Sequence, residues 1–113
     1  TIFNFVDAVF NLNRVKSYEL LKDMQIKGEE PMKIHGLLVS HLRNLSRVKY
    51  GANIKISQIA MNKLIKQAQI LSGNDILTIY ENFYKIDKNL KLGQISASIV
   101  NVLEIEVIQG SNL

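Results

Sequence analysis

The stretch Glu29–Tyr50, EEPMKIHGLLVSHLRNLSRVKY, decides how the rest of this chain is read. Within it Ile34, Leu37, Leu38, His41, Leu42, Leu45 and Val48 recur at three- and four-residue intervals. On an α-helix these residues form one stripe, and an apolar stripe must be buried to be stable. Pro31 suits the first helical position, where its missing N–H would have no intrahelical partner and its φ is already set. Glu29 and Glu30 put negative charge at the positive end of the helix dipole. Arg43, Arg47 and Lys49 crowd the other end, and Gly51 can supply a left-handed cap. A central, buried helix is expected here.

Toward the N-terminus, Gly28 closes a preceding helix, Arg14–Lys27, expected to bury Val15, Tyr18, Leu20, Leu21 and Met24. The short connection to Pro31 predicts an antiparallel hairpin of this helix with the central one. Ahead of it, Thr1–Phe10 reads as a short helix with Ile2, Phe5, Val6, Val9 and Phe10 on one face, followed by a turn at Asn11–Asn13.

Toward the C-terminus, the polar segment Ala52–Lys55 leads into a fourth helix, Ser57–Leu71, with Ile59, Ala60, Leu64, Ala68 and Leu71 inward. Asn74 is a suitable N-cap for a fifth helix, Asp75–Lys91, whose stripe is Ile76, Ile79, Tyr80, Phe83, Ile86 and Leu90. Gly93 closes it, and Ser96 caps a last helix carrying Ile99, Val102, Leu103 and Glu106. The β-branched Val100, Ile105, Val107 and Ile108 make a strand the alternative there, and Gln109–Leu113 reads as a frayed tail. The expectation is one all-α domain over residues 1–113, a compact bundle of five or six helices.

Bulk properties narrow the class. The 113 residues are 47% hydrophobic, enough for one real core and too many for a disordered chain. No apolar run approaches the roughly 18 residues that cross a bilayer, so no membrane partner is expected. Cysteine is absent, which excludes disulfides and thiolate chemistry and fits a cytoplasmic protein. The start at Thr1 rather than Met suggests a piece of a longer chain. A formal charge of +4 permits contact with nucleic acid, and a small basic helical nucleic-acid-binding domain is the alternative reading of function.

Chemistry is sparse. His35 and His41 are the only histidines, and six residues on a helix turn them about 600° apart, onto different faces. A helical metal site needs i, i+4 ligands with a carboxylate, and a phosphate cradle needs a glycine-rich loop; neither pattern occurs. His41 lies on the apolar stripe and reads as a core or interface histidine. Asp87, one turn before Lys91, reads as an ion-pair partner rather than a general acid. Catalytic residues, cofactors and metals are therefore not expected. Arg43, Arg47 and Lys49, and Lys85, Lys88 and Lys91, could meet phosphates, although solubilising charge is the ordinary explanation. Tyr50, Tyr80 and Tyr84 could stack on bases, with Tyr80 better placed in the core.

Three stretches taken in order carry a family resemblance: Ile2-Phe3-Asn4-Phe5-Val6-Asp7-Ala8, then Gly28–Ile34 followed by Leu37-Leu38 and Leu42-Arg43-Asn44-Leu45, then Asp87, Lys91, Gly93 and Gln94 behind the glutamine-containing Leu64–Ala68. This order resembles the C-terminal domain of the delta subunit of bacterial DNA polymerase III across nearly the whole chain. The segment between Tyr50 and Lys63 is shorter than in the family and lacks a Pro-containing insertion that many members carry.

The resemblance implies a clamp-loader collar in DNA replication. In that family delta joins delta-prime and three copies of the motor subunit, tau or gamma, in a ring held together by its C-terminal helical domains. The parts that open the sliding clamp and those that resemble ATPases lie upstream of this domain. It therefore implies assembly, not an enzyme, with the collar near primer–template DNA and Lys88, Lys91, Gly93 and Gln94 as candidates for approaching it. Leu92, in that same loop, offers no stacking surface. A bundle packed between two neighbours should carry apolar residues outside its own core. Met32, Val39, Met61, Ile70 and Leu77, with Ile26 and Leu92, are those residues.

Overall fold

Five α-helices and no strand make up the described residues of the computed structural model, which are residues 2–85 and Val102: α1 (Ile2–Phe10), α2 (Arg14–Ile26), α3 (Pro31–Lys49), α4 (Gln58–Ile70) and α5 (Gly73–Tyr84). The expected all-α class is what forms. Along α3 the predicted stripe is inward: Ile34, Leu38, Leu42 and Leu45 are fully buried, while Leu37, His41 and Val48 are half-buried. α4, α5 and α1 all pack on α3. They meet its stripe with Phe5, Val9 and Phe10 from α1, Leu64 from α4 and Ile76, Ile79 and Phe83 from α5, and Leu71 and Val102 are buried in the same core.

α3 and α5 run antiparallel. His35 near the start of α3 meets the edge of Phe83 near the end of α5, with centroids 5.7 Å apart. At the opposite end the Tyr50 hydroxyl sits over Gly73, where a Cβ would collide with it. Lys49 ties α3 to α4 by donating from Nζ to the Ala68 carbonyl at 2.7 Å. That carbonyl is among the last of α4 and has no intrahelical partner of its own.

The first three helices end alike. After α3, Gly51 at φ +78° donates to Val48 and Ala52 donates to Arg47. After α2, Gly28 at φ +71° donates to Gln25 and Glu29 to Met24. These are Schellman closures, and glycine adopts their left-handed residue without a Cβ penalty. After α1 the same bonds run from Leu12 to Val9 and from Asn13 to Ala8, but the left-handed residue is Leu12 at φ +58°. Leu12 packs against the core, and that contact offsets a backbone cost of about 1–2 kcal/mol.

Several expectations need correction. α2 packs on α1 and does not form the predicted hairpin with α3, whose surface is taken by α4, α5 and α1. The buried stripe of α2 is Ser17, Leu21 and Met24; Val15 is 68% exposed and Tyr18 is also exposed. Ser17 can be buried because its hydroxyl donates to the Asn13 carbonyl at 2.7 Å and its small side chain allows close approach. On α4, Ile59 is 73% exposed and the inward positions are Leu64, Gln67 and Ala68. The N-cap of α5 is Ser72 rather than Asn74. Ser72 and Asp75 satisfy each other's backbone N–H groups at 3.0 and 2.9 Å, two orphan donors at once, which Asn74 could not match. Residues 86–91 of the predicted fifth helix, Gly93 and the last helix apart from Val102 lie outside the described residues.

Candidate interaction surfaces

A partly buried polar chain links α3, α4 and the turn after α1 beneath the first surface. His41 of α3 approaches Gln67 of α4, Nε2 to Oε1, at 2.6 Å. The Gln67 amide nitrogen donates onward to Asn11 Oδ1, just past α1, at 3.0 Å. With the carboxamide oxygen accepting, His41 carries its proton on Nε2. Its ring stacks on Phe10 at 4.8 Å. Desolvation pushes the His41 pKa down, opposed by the Gln67 bond and the nearby Asp7 carboxylate, while Lys63 pushes it further down. The imidazole is thus neutral in the folded protein near pH 7. Half-buried and lining the groove, His41 fits the core or interface histidine expected from its place on the stripe.

Above this chain, α1, α3 and α4 enclose a groove of about 340 Å³. Asp7 and Lys63 face each other across it at 3.1 Å, His41 and Asn44 line it, and Phe3 and Ile59 form its lips. Phe3 is 70% exposed, unusual for a phenylalanine in a monomer. No hydrogen bond joins His41 to Asp7 or to Ser57, whose hydroxyl is already accepting from the Ala60 N–H. The groove therefore lacks an acid–base–nucleophile relay. Among the described residues no three His, Cys, Asp or Glu side chains are grouped to hold a metal ion. What it offers is shape and two apolar lips.

The second surface follows the seam of α3 and α5. Tyr80 and Tyr84, one turn apart on α5, lie with parallel rings 5.8 Å between centroids. Burial pushes the Tyr80 phenol up, aided by Tyr84, whereas the positive charges of Arg43 and Arg47 pull it down. Both arginines therefore sit within electrostatic reach of Tyr80 across the seam. Leu77 is exposed three residues before Tyr80, on the same side of α5.

The proposed contact residues divide. Met32 and Leu77 are exposed, Val39, Met61 and Ile70 are half-buried, and Ile26 is exposed at the end of α2. Val39 and Ile70 pack against the core, so their surface share is smaller. Lys49 is engaged with α4, and Lys85 is exposed past α5. Lys88, Lys91, Leu92, Gly93 and Gln94 lie outside the described residues. Sequence reasoning missed Phe3 and Ile59 as lips and Gln67 as a buried hub. Gln67 sits three residues after Leu64 and four before Leu71, both inward, and that spacing was the available signal.

Comparison with known proteins matches residues 1–107 to the family described as DNA polymerase III delta subunit, C-terminal domain. The chain is also similar to DNA polymerase III subunit delta of Bacillus subtilis (strain 168), with 24% identity over 119 residues. That alignment covers 96% of this chain and 34% of the relative, so the chain spans about a third of the relative's length. No solved structure matches it.

Proposed function

Because the chain belongs to the family formed by the C-terminal domains of DNA polymerase III delta subunits, we propose that it is the helical collar of a clamp-loader delta subunit. In this reading residues 1–113 form one domain of bacterial DNA replication, working in the cytoplasm. The domain is not an enzyme. It holds delta in a five-membered ring with delta-prime and the tau or gamma subunits, while upstream parts of the parent protein engage the sliding clamp. Primer–template DNA lies close to Lys88, Lys91, Gly93 and Gln94.

The observation that supports this reading is the presence of two separate surfaces with exposed apolar side chains. One is the Phe3–Ile59 groove on the α1–α4 flank, and the other is the Leu77 side of α5. A domain held between two neighbours needs an exposed apolar patch for each. Met61 and Ile70 on α4 and Met32 and Val39 on α3 extend the apolar contact. No helix among the described residues is long and apolar enough to cross a membrane.

Size-exclusion chromatography with light scattering tests it, using the chain alone and mixed with the collar domains of delta-prime and tau. A complex with either partner that survives moderate salt and is lost in Phe3→Asp/Ile59→Asp, with helicity unchanged, is the expected result. No complex with either partner would overturn the reading.

A further inference from the structure

The groove between α1, α3 and α4 presents one polar atom that its surroundings leave without a partner. His41 donates from Nε2 to Gln67 and stacks one face of its ring on Phe10. An imidazole with its proton on Nε2 carries a lone pair on Nδ1, which can only accept. Among the described residues nothing donates to that nitrogen. It is not sealed beneath other atoms either, in contrast to His35 Nδ1, which is buried and unpaired. Because His41 lines the groove, its free acceptor is open to whatever fills that space.

The rest of the lining narrows the occupant. Val6, Ile56, Ala60 and Leu64 are apolar, and Phe3 and Ile59 stand exposed at the lips. Asp7 and Lys63 neutralise each other in the wall, and both act electrostatically on His41. A volume of about 340 Å³ is at the small end of ligand-sized cavities, with room for one bicyclic ring and not for a helix. A leucine or isoleucine anchor would fill it and bury the Nδ1 lone pair unpaired. A carboxylate would face both that lone pair and Asp7, and a lysine or arginine would bring a second cation against Lys63. A flat, neutral, apolar ring with one N–H donor meets all these conditions: it packs against Phe3 and donates to Nδ1.

We infer that the groove accepts a tryptophan side chain of a neighbouring subunit, with the ring between Phe3 and Ile59 and its N–H donated to His41 Nδ1. This rests on the reading of the groove as a neighbour-facing surface and adds the chemistry of the residue that enters it. Indole only donates, which matches an atom that only accepts. A buried aromatic anchor in a pocket is also the usual centre of a protein interface.

Two isomers of equal size test the site. 3-Methylindole is the tryptophan side chain cut after its Cβ and keeps the N–H, whereas 1-methylindole carries a methyl group in place of that hydrogen. Titrated into the isotope-labelled whole chain, 3-methylindole is expected to shift the amide resonances of Phe3, Asn44 and Ile59 saturably. It should bind roughly five- to tenfold tighter than its isomer, in line with one hydrogen bond. Phe3→Ala/Ile59→Ala should weaken both isomers, and Val15→Ala, exposed on α2, should change neither. His41→Phe keeps a ring against Phe10 and loses the acceptor, so the preference should vanish. Circular dichroism checks that this variant folds, and the comparison of isomers in the unaltered chain decides the matter without it. Equal affinity for the two isomers, no saturable shift at millimolar ligand, or shifts unchanged in Phe3→Ala/Ile59→Ala would each overturn the inference. Loss of the partner complex in Phe3→Asp/Ile59→Asp together with equal isomer affinity would overturn it and leave the assembly reading standing. A preference for 3-methylindole without any partner complex would support the ring site and overturn the assembly reading alone.

Discussion

His41 Nε2 and Gln67 Oε1 lie 2.6 Å apart across the α3–α4 contact, and this pair is where the groove meets the core. Gln67 has no exposed surface, so its amide relies on His41 and Asn11 for hydrogen bonds. The pair links α3 to α4 beneath the groove whose lips are Phe3 and Ile59.

Gln67→Leu should destabilise the fold by about 1–3 kcal/mol, because the buried His41 N–H loses its acceptor. His41→Leu should cost a similar amount by orphaning the Gln67 oxygen. Paired, the two should cost clearly less than their sum, since the second removes a group already unsatisfied. Urea denaturation of the cycle measures this, and strict additivity would show that the contact carries no coupling.

Acidification should weaken the fold through the histidines. Desolvation holds His41 and His35 below the ordinary value of 6.5 in the folded state. Above 6.5 both states are neutral and stability is flat. As pH falls from 6.5 through the lower folded values, the unfolded chain takes up protons first and stability drops. Melting temperature should therefore fall between pH 7.5 and 5.5, and fall less in His41→Gln. An identical slope in that variant would remove His41 as the cause.

Three glycines should respond to alanine with opposite signs. Gly28 and Gly51 occupy left-handed φ with nothing within 4 Å of a built Cβ, so the cost of alanine is conformational, about 1 kcal/mol or more. Gly36 lies inside α3 with equally open surroundings, and alanine there should stabilise by about 0.5–1 kcal/mol. Thermal melts of the three variants test the contrast.

The start of α5 can be located by mutation. Ser72→Ala should cost about 1 kcal/mol by removing the acceptor for the Asp75 N–H, whereas Asn74→Ala should stay within about 0.5 kcal/mol of wild type. The reverse order would place the cap at Asn74.

Much of this architecture was legible in order. The stripe of α3, Pro31 at its start, and the closing glycines Gly28 and Gly51 all depend on residues within about one turn of each other. His41 could be read as a core or interface residue because its neighbours at three- and four-residue spacing include Leu37, Leu38 and Leu45. Leu12 in a left-handed conformation could not, because its local cost is outweighed by packing against residues distant in sequence. Val15 and Tyr18 misled for a related reason: they are apolar or aromatic enough for a core, yet α2 turns Ser17 inward because α1 is the partner it meets.

By itself the sequence determined which segments coil into helices and where most begin and end, because periodicity, caps and left-handed closures act through bonds between near neighbours. Only the tertiary structure decided which helix lies on which. It placed α2 against α1, buried Gln67 between His41 and Asn11, opened Phe3 and Ile59 as the lips of a groove, and set His35 of α3 against Phe83 of α5. Those outcomes depend on competition among apolar stripes for the one long surface of α3. That competition is settled by contacts far apart in the chain, which no local pattern encodes.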